Sequence, residues 1–397
     1  MKKTLVAIAA LAATGAFAQS SVTLYGNLDQ AVFGAKQSDT KQVLSSASNA
    51  GSTSLWGITG SEDLGGGTKA EFDLKSELTL ATGQTSSSGS TATKTSTDSN
   101  AQSTTFNRGA WVGLSDAKFG SFKLGRQNDA LWEQAGKFNN TGINSFGWNN
   151  LTATATGFSA ATANSVTGQK VGTTADNGLG NNTSTTTTGG TANNPSASGT
   201  AFAFTAGVSY ETPKIAGFSA KYAASTPKTQ YNDLSSEGAR SQLSLAYANG
   251  PLTAAVAQST LNSGNGETGA KVTLVGAAYT MGAFKFTAAQ QDTKFSGQWA
   301  AANDMTVQGL GVGFTQGKVE YNLGYTVLKD KETTANKTTQ TGVTARYNFS
   351  KRTSVYAGYG NGKNEGSTKT TGVVYGGSAL TAAGNNSAYL VGLKHAF

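Results

Sequence analysis

Residues Val319–Leu328 read VEYNLGYTVL, and the fold turns on how this stretch is read. Val319, Tyr321, Leu323, Tyr325 and Val327 take every second place, with Glu320, Asn322, Gly324 and Thr326 between them. A strand sends successive side chains to opposite faces, so one face here is apolar and the other polar. In a soluble sandwich the apolar face turns into a protein core. In a membrane barrel it turns out to lipid and the polar face meets water.

Composition narrows the choice. The 397 residues include 51 glycines, 4 prolines and no cysteine. Charged residues make up 13%, about half the roughly 25% of an ordinary soluble domain. Thr, Ser, Asn, Gln and Gly take their place, which suits turns and wet polar faces. Mean hydropathy is −0.30, and beyond the first twenty residues no apolar run is long enough for a membrane helix. A barrel remains open, because alternating strands average to modest polarity.

Residues 1–18, MKKTLVAIAALAATGAFA, have a basic start at Lys2 and Lys3, an apolar stretch from Leu5 to Ala13 and an A-x-A end. This predicts a cleaved secretory signal, leaving 19–397 as one domain. Removing the two lysines takes the formal charge from +8 to +6, a mild pull on anions. Without cysteine there are no disulfides and no thiolate chemistry.

Period-two segments recur. In Thr68–Leu80 (TKAEFDLKSELTL) Ala70, Phe72, Leu74, Leu78 and Leu80 share one face, and Lys69, Glu71, Asp73, Lys75 and Glu77 the other. Ala201–Glu211, Ser241–Tyr247, Ala283–Ala289 and Val343–Phe349 repeat the scheme. Their joints alternate in length. DAKFG, TPKIAG, ANGP, TMGA, TQGK and FSKR are tight, whereas ATGQTSSSGSTATKTSTDSN, the region of GTTADNGLGNNTSTTTTGG, and NGKNEGSTKTTG are long and low in complexity. Short turns at one rim and long loops at the other predict an all-β, antiparallel transmembrane barrel.

From Val22–Gly34 to Ser387–Phe397 the pattern supports sixteen strands, and an even count brings both ends to the short-turn rim. Ile143–Asn150 and Gly157–Ser165 form a second possibility, an extra hairpin giving eighteen; placing both in one connection, 129–200, keeps sixteen. Sixteen strands enclose a cylinder about 30 Å across, too wide for side chains to fill. Tyr25, Tyr210, Tyr247, Tyr279, Tyr347 and Tyr389 are expected near strand ends as an interfacial girdle.

The stretches SSVTLYGNLDQAV, GSEDLGGGTKAEFDL, RGAWVGLSDAKFGSFKLGRQ, VSYETPKIAGFSAKY, YNFSKRTSVYAGYG and VGLKHAF, in this order, resemble the general porins of Gram-negative beta-proteobacteria. The resemblance spans nearly the whole mature chain except the long loops. It implies a homotrimeric outer-membrane barrel, exported to the cell outer membrane, through which small hydrophilic solutes and ions diffuse passively. It also implies contact with outer-membrane lipid and lipopolysaccharide and with the barrel-assembly machinery, and a third loop, here 129–200, folded into the lumen.

The resemblance matches Arg126 and Arg108 to basic pore-wall positions. Strict alternation from Phe122 and Leu124, however, turns Arg126 outward. Where the family carries basic residues this chain has Leu55 and Thr59, which predicts only a weak anion preference. Alternation adds Lys69, Lys75, Lys123, Arg346 and Arg352 to the inner face, and Asp129 and Glu133 lie at the base of the third loop. Cations on the wall facing acids on the loop would set a transverse field. Trp132, Phe138 and Trp148 are expected to pin the loop to the wall.

Phe397, Leu393 and Tyr389 share the lipid face with His395 and Val391, and the resemblance reads this end as the assembly signal. One histidine and no cysteine leave no His cluster for a metal and no thiol catalysis. GSEDLGGGTK lacks phosphate-loop spacing, and basic residues are not interleaved with stacking aromatics, so neither a cofactor nor nucleic acid is expected. A barrel lipase would need partners that His395 lacks. Adhesion through the long loops is compatible with a channel.

Overall fold

A computed structural model of the chain describes residues 20–37, 43–85, 105–155, 203–225, 239–264, 267–297, 304–332, 336–365 and 384–397. The expected export signal, 1–18, and the 129–200 connection beyond residue 155 fall outside these.

The strand segments are β1 (Ser21–Gln37), β2 (Val43–Ser48), β3 (Leu55–Gly65), β4 (Thr68–Thr79), β5 (Gln84–Thr85), β6 (Gly109–Asp116) and β7 (Gly120–Asn128). After the third loop follow β8 (Ala203–Glu211), β9 (Phe218–Ser225), β10 (Arg240–Asn249), β11 (Leu252–Gly264), β12 (Glu267–Met281) and β13 (Phe284–Phe295). The wall ends with β14 (Met305–Gln316), β15 (Val319–Asp330), β16 (Lys337–Asn348), β17 (Thr353–Glu365) and β18 (Gly384–Ala396). Eighteen segments make sixteen staves, because two are continuations. β2 lies on residues 30–35 of β1 and β3 on residues 21–27 of the same strand, one stave broken at 49–54. Likewise β5 sits on β4 beyond β6.

Residues 143–147 bend within the lumen and Trp148–Ala155 is helical, so no hairpin forms in the described part of 143–165. The wall is a closed sixteen-strand antiparallel barrel. The β1–β18 seam runs from Asn27↔Ala396 to Gln37↔Asn386, and beyond it Gly26 and Phe397 exchange backbone hydrogen bonds of 3.1 and 3.0 Å.

Polarity is inside-out. On β15, Tyr321, Leu323 and Tyr325 are 45–50% exposed on the outer surface, whereas Gly324 and Thr326 are buried inside. The same parity puts Leu243 and Leu245, Val256, Val275 and Leu310 outside. The joints 66–67, 117–119, 212–217, 250–251, 282–283, 317–318 and 349–352 all fall at one rim. Aromatics ring that rim: Phe218 against Tyr247, Phe284 against Phe314, and Tyr347 against Phe349, with centroids 4.6–5.1 Å apart. Tyr25 is not among them. Its register turns it inward, where its hydroxyl donates to Asp73.

Replacing Leu323 by Arg puts a charge against hydrocarbon and is expected to cost about 2–4 kcal/mol, read as a shifted urea midpoint for folding into lipid vesicles. Ser115→Arg, on the wet face, leaves the midpoint nearly unchanged.

Candidate functional site

The third loop crosses the lumen against one side of the wall. It starts with helix α1 (Ala130–Ala135), continues through a 3-10 turn (Gly136–Phe138), and returns through helix α2 (Trp148–Ala155). Asp129 starts α1 as its N-cap, accepting from the backbone N–H of Leu131 at 2.8 Å and of Trp132 at 3.2 Å. Its other oxygen takes Arg240 Nη1 at 2.8 Å and the Gln242 amide.

Leu131, Phe138, Trp148 and Leu151 then pack on inward aliphatic residues of β10–β15, including Leu274, Met305 and Leu328. Trp148 and Phe138 are 0% and 1% exposed, so they pin the loop as expected, and Trp132 packs beside them. The far end of the loop makes a second cluster, Ile143 and Phe146 against Phe33, Tyr356 and Leu390.

Between these anchors the loop's backbone is fastened by polar wall residues. Thr344 Oγ1 donates to the Thr141 carbonyl and Arg346 Nη2 to that of Gly142, each at 2.6 Å. Asn140 Nδ2 donates to the Leu310 carbonyl at 2.9 Å. The tip meets the broken stave, where the amides of Ser145 and Asn144 donate to Ala50 and Gly51 carbonyls at 2.9 and 3.1 Å. Buried Asp29 holds that break, accepting Gly51 N–H at 2.9 Å and Tyr356 O–H at 2.7 Å.

Such close approach needs a wall without side chains. A Cβ at Gly276 would meet Phe138, one at Gly309 would meet Trp148, and those at Gly342, Gly358 and Gly360 would all meet Phe146. This glycine track and the Asp29 clasp escaped the sequence reading, which gave glycine to turns and wet faces. The signal was nevertheless there: GLGVG (Gly309–Gly313) puts glycine at successive inner-face places of one strand.

The expected pore residues divide into three groups. Five carboxylates each have a cation: Asp73 with Lys75 at 3.2 Å, Glu77 with Arg108, Asp129 with Arg240, Glu133 with Lys221 at 2.7 Å, and Glu320 with Arg346 at 3.4 Å. The loop acids are therefore bound to the wall that carries the loop and do not face cations across the channel. Asp129, 1% exposed, is a helix cap rather than a lining residue.

Further cations remain. Lys123 Nζ lies 4.2 Å over the Trp111 ring, and Lys137 is exposed on the loop, its Nζ donating to Gln134 at 2.7 Å. Arg126 is inside. Gly125 takes φ 118°, and just past it β8 carries one extra residue opposite Arg126; together these break the alternation that would turn Arg126 outward. Arg126 is 7% exposed, donates to the Asn107 carbonyl, and stands beside Arg108 and Arg240.

Two expected lining residues fall outside this region. Arg352 lies exposed in the 349–352 turn, and Lys69 is exposed at the start of β4, both at the short-turn rim. Leu55 and Thr59 do face inward, opposite Glu77 and Asp73.

A closed barrel with a wet, loop-narrowed interior and an apolar exterior is a transmembrane channel. Residues 4–172 and 165–367 match the Gram-negative porin family, and the chain belongs to it. It is 31% identical over 412 residues to outer membrane porin protein 32 of Delftia acidovorans, covering 100% of both chains. A 148-residue match, 32% identical, covers 32% of this chain and 34% of an outer membrane porin protein of Bordetella pertussis.

Among solved structures, the fold matches an anion-selective porin from Comamonas acidovorans with a TM-score of 0.70 at 24% identity, covering 96% of this chain and 100% of that one. OmpT of Vibrio cholerae, folded in vitro and in its trimer form, matches at 0.60 and 13%, covering 95% and 99%. The protein is an outer-membrane porin, and its family and relatives are channels rather than enzymes.

Leucine at Gly360 is expected to push Phe146 and the loop into the lumen, costing about 1–3 kcal/mol by overpacking and lowering single-channel conductance in planar bilayers. Unchanged conductance would contradict the close fit.

Proposed function

We propose that this porin passes small hydrophilic solutes and ions by passive diffusion, with a weak preference for anions. The observation that carries the preference is the charge tally at the loop. Among the described residues five carboxylates are matched one to one, and Lys123 and Lys137 add positive charge. Leu55 and Thr59 keep the excess small. Selectivity then follows from the sign of the narrowest polar ring and from its width. In this reading Arg108, Arg126, Lys75, Lys123, Lys137 and Glu133 border the passage, while Arg346 holds the loop and Arg352 and Lys69 act at the mouth.

The remaining parts of the reading rest on resemblance. Residues 1–18 direct export, Tyr389, Leu393 and Phe397 form the stripe that assembly machinery recognises, and three copies associate, as the OmpT trimer form supports. Tyr389, Leu393 and Phe397 are all 42–52% exposed on the outer face, as a recognition stripe requires.

Reversal potentials in a KCl gradient test the preference. A weak anion preference is expected in the parent protein, and Lys123→Glu with Lys137→Glu is expected to move it to the cation side. A parent protein that prefers cations would refute the tally.

The preference also has a pH signature. Partial desolvation, opposed by Glu133 and Glu211, holds the Lys137 ammonium below its ordinary value. Its charge is present at neutral pH and is lost as pH rises, earlier than for a solvated lysine. Anion preference should therefore begin to fall below the usual lysine range, and Lys137→Arg should retain it there.

A further inference from the structure

Trp111 stands on the inner face of β6, with Asp73 of β4 as its cross-strand neighbour on one side and Gly125 of β7 on the other. Other inward rings of the wall, Phe33, Phe295 and Tyr356, are 2–6% exposed, whereas Trp111 is partly open to the lumen. The group on its face is the Lys123 ammonium, 4.2 Å from the ring centroid. An indole kept in a wet passage gains little from burial, which is what otherwise places aromatic rings on an inner wall.

Glycines make room for this arrangement. Gly109 and Gly113 flank Trp111 two places away on either side. A Cβ at Gly113 would meet Lys123 Cγ at 2.9 Å, and one at Gly109 would meet Lys75 Cε at 3.3 Å. Both lysine stems therefore cross bare backbone, and the indole stands between them.

The polar groups around the ring are matched to one another. Asp73 accepts from the Tyr25 hydroxyl and pairs with Lys75. Gln127 Oε1 accepts from the Ser209 hydroxyl, and Gln127 Nε2 donates to the Lys123 and Gly207 carbonyls at 3.1 and 3.4 Å. Lys123 differs, for its ammonium rests on the ring and on no carboxylate among the described residues.

We propose that Trp111 and Lys123 form a weak luminal subsite for small aromatic carboxylates of the benzoate type. The solute's ring lies against the indole in the offset or edge-on arrangement such pairs prefer, and its carboxylate takes the ammonium. A cation–π contact leaves the lysine charge unneutralised, so capturing an anion there breaks no ion pair. A neutral sugar also has a flat apolar face, but its hydroxyls would meet Asp73 and Gln127 already engaged. An aliphatic carboxylate would use the ammonium and forgo the ring. A channel site must also release what it captures, which a single ring and a single cation allow. The inference deepens the proposed passage of anions and rests on that reading.

Ion current through the full-length protein in planar bilayers, with benzoate added at fixed KCl, tests it. Cyclohexanecarboxylate, similar in size and charge but not flat, and glucose are the comparisons. Benzoate should halve the current at a concentration about three- to tenfold lower than cyclohexanecarboxylate. Trp111→Leu should remove that difference, and Trp111→Phe should keep most of it. Lys123→Gln should raise the half-blocking concentration of both acids.

Stepwise insertion into the bilayer certifies each variant as a folded barrel. Equal half-blocking concentrations for the two acids in the parent protein would overturn the proposal. So would a difference that survives in Trp111→Leu, or glucose blocking as readily as benzoate, which would assign the ring to sugars. Selective block by benzoate in a channel that prefers cations would count against the anion preference alone. An anion-preferring channel that does not distinguish the two acids would count against the subsite alone.

Discussion

Every backbone N–H and C=O at membrane depth must find a partner within the chain, because hydrocarbon offers none and each unsatisfied group there costs several kcal/mol. For strands this demand has one solution, a sheet without an edge. The β1–β18 seam meets it along eleven register pairs from Asn27↔Ala396 to Gln37↔Asn386. Once the sheet is closed with sixteen staves, side chains cannot fill its interior. The polar face of each strand is then left with water, and the apolar face with lipid.

A lumen that wide needs an internal obstacle to discriminate among solutes, and the third loop is built into the wall as firmly as a core element. Two apolar clusters hold its ends, one on β10–β15 and one around Phe33, Tyr356 and Leu390. Side chains from the wall occupy its carbonyls in between. The cost appears in the strands, where glycine weakens pairing for want of a side chain, yet Gly342, Gly358 and Gly360 are what admit the Phe146 ring. The barrel gives up strand propensity on one side of its interior so that a loop can lie flat there. The passage is thereby displaced toward the opposite wall, which carries Lys75, Arg108 and Lys123.

Most of the barrel was legible because period two is a strong signal over ten residues. The Tyr/Leu face of β15 stands on lipid as VEYNLGYTVL implied, and all the short joints fall at one rim. What was illegible has local causes. VLSSAS (Val43–Ser48) alternates too weakly to announce β2, half of a stave interrupted at 49–54. Alternation fails at Arg126 because Gly125 turns to φ 118° where β8 carries one extra residue opposite, and the period of β7 registers neither. Asp129 and Glu133 were rightly placed at the loop base. Their partners Arg240 and Lys221, about ninety to one hundred and ten positions away, could not be known from spacing.

The distribution of acids also explains how a chain with a basic excess can be only weakly selective. A carboxylate across the channel from a cation would create a transverse field, whereas a carboxylate bonded to a cation on its own side cancels at short range. Asp129 and Glu133 do the latter: each secures the loop and neutralises one wall charge in the same contact. Glu77 does likewise for Arg108, and Asp73 for Lys75, opposite the positions of Leu55 and Thr59. Mechanical anchoring and charge compensation are here one set of interactions. Selectivity is thus left to the few cations that anchor nothing, foremost Lys123 and Lys137, and it can change by substitution at those positions without loosening the loop.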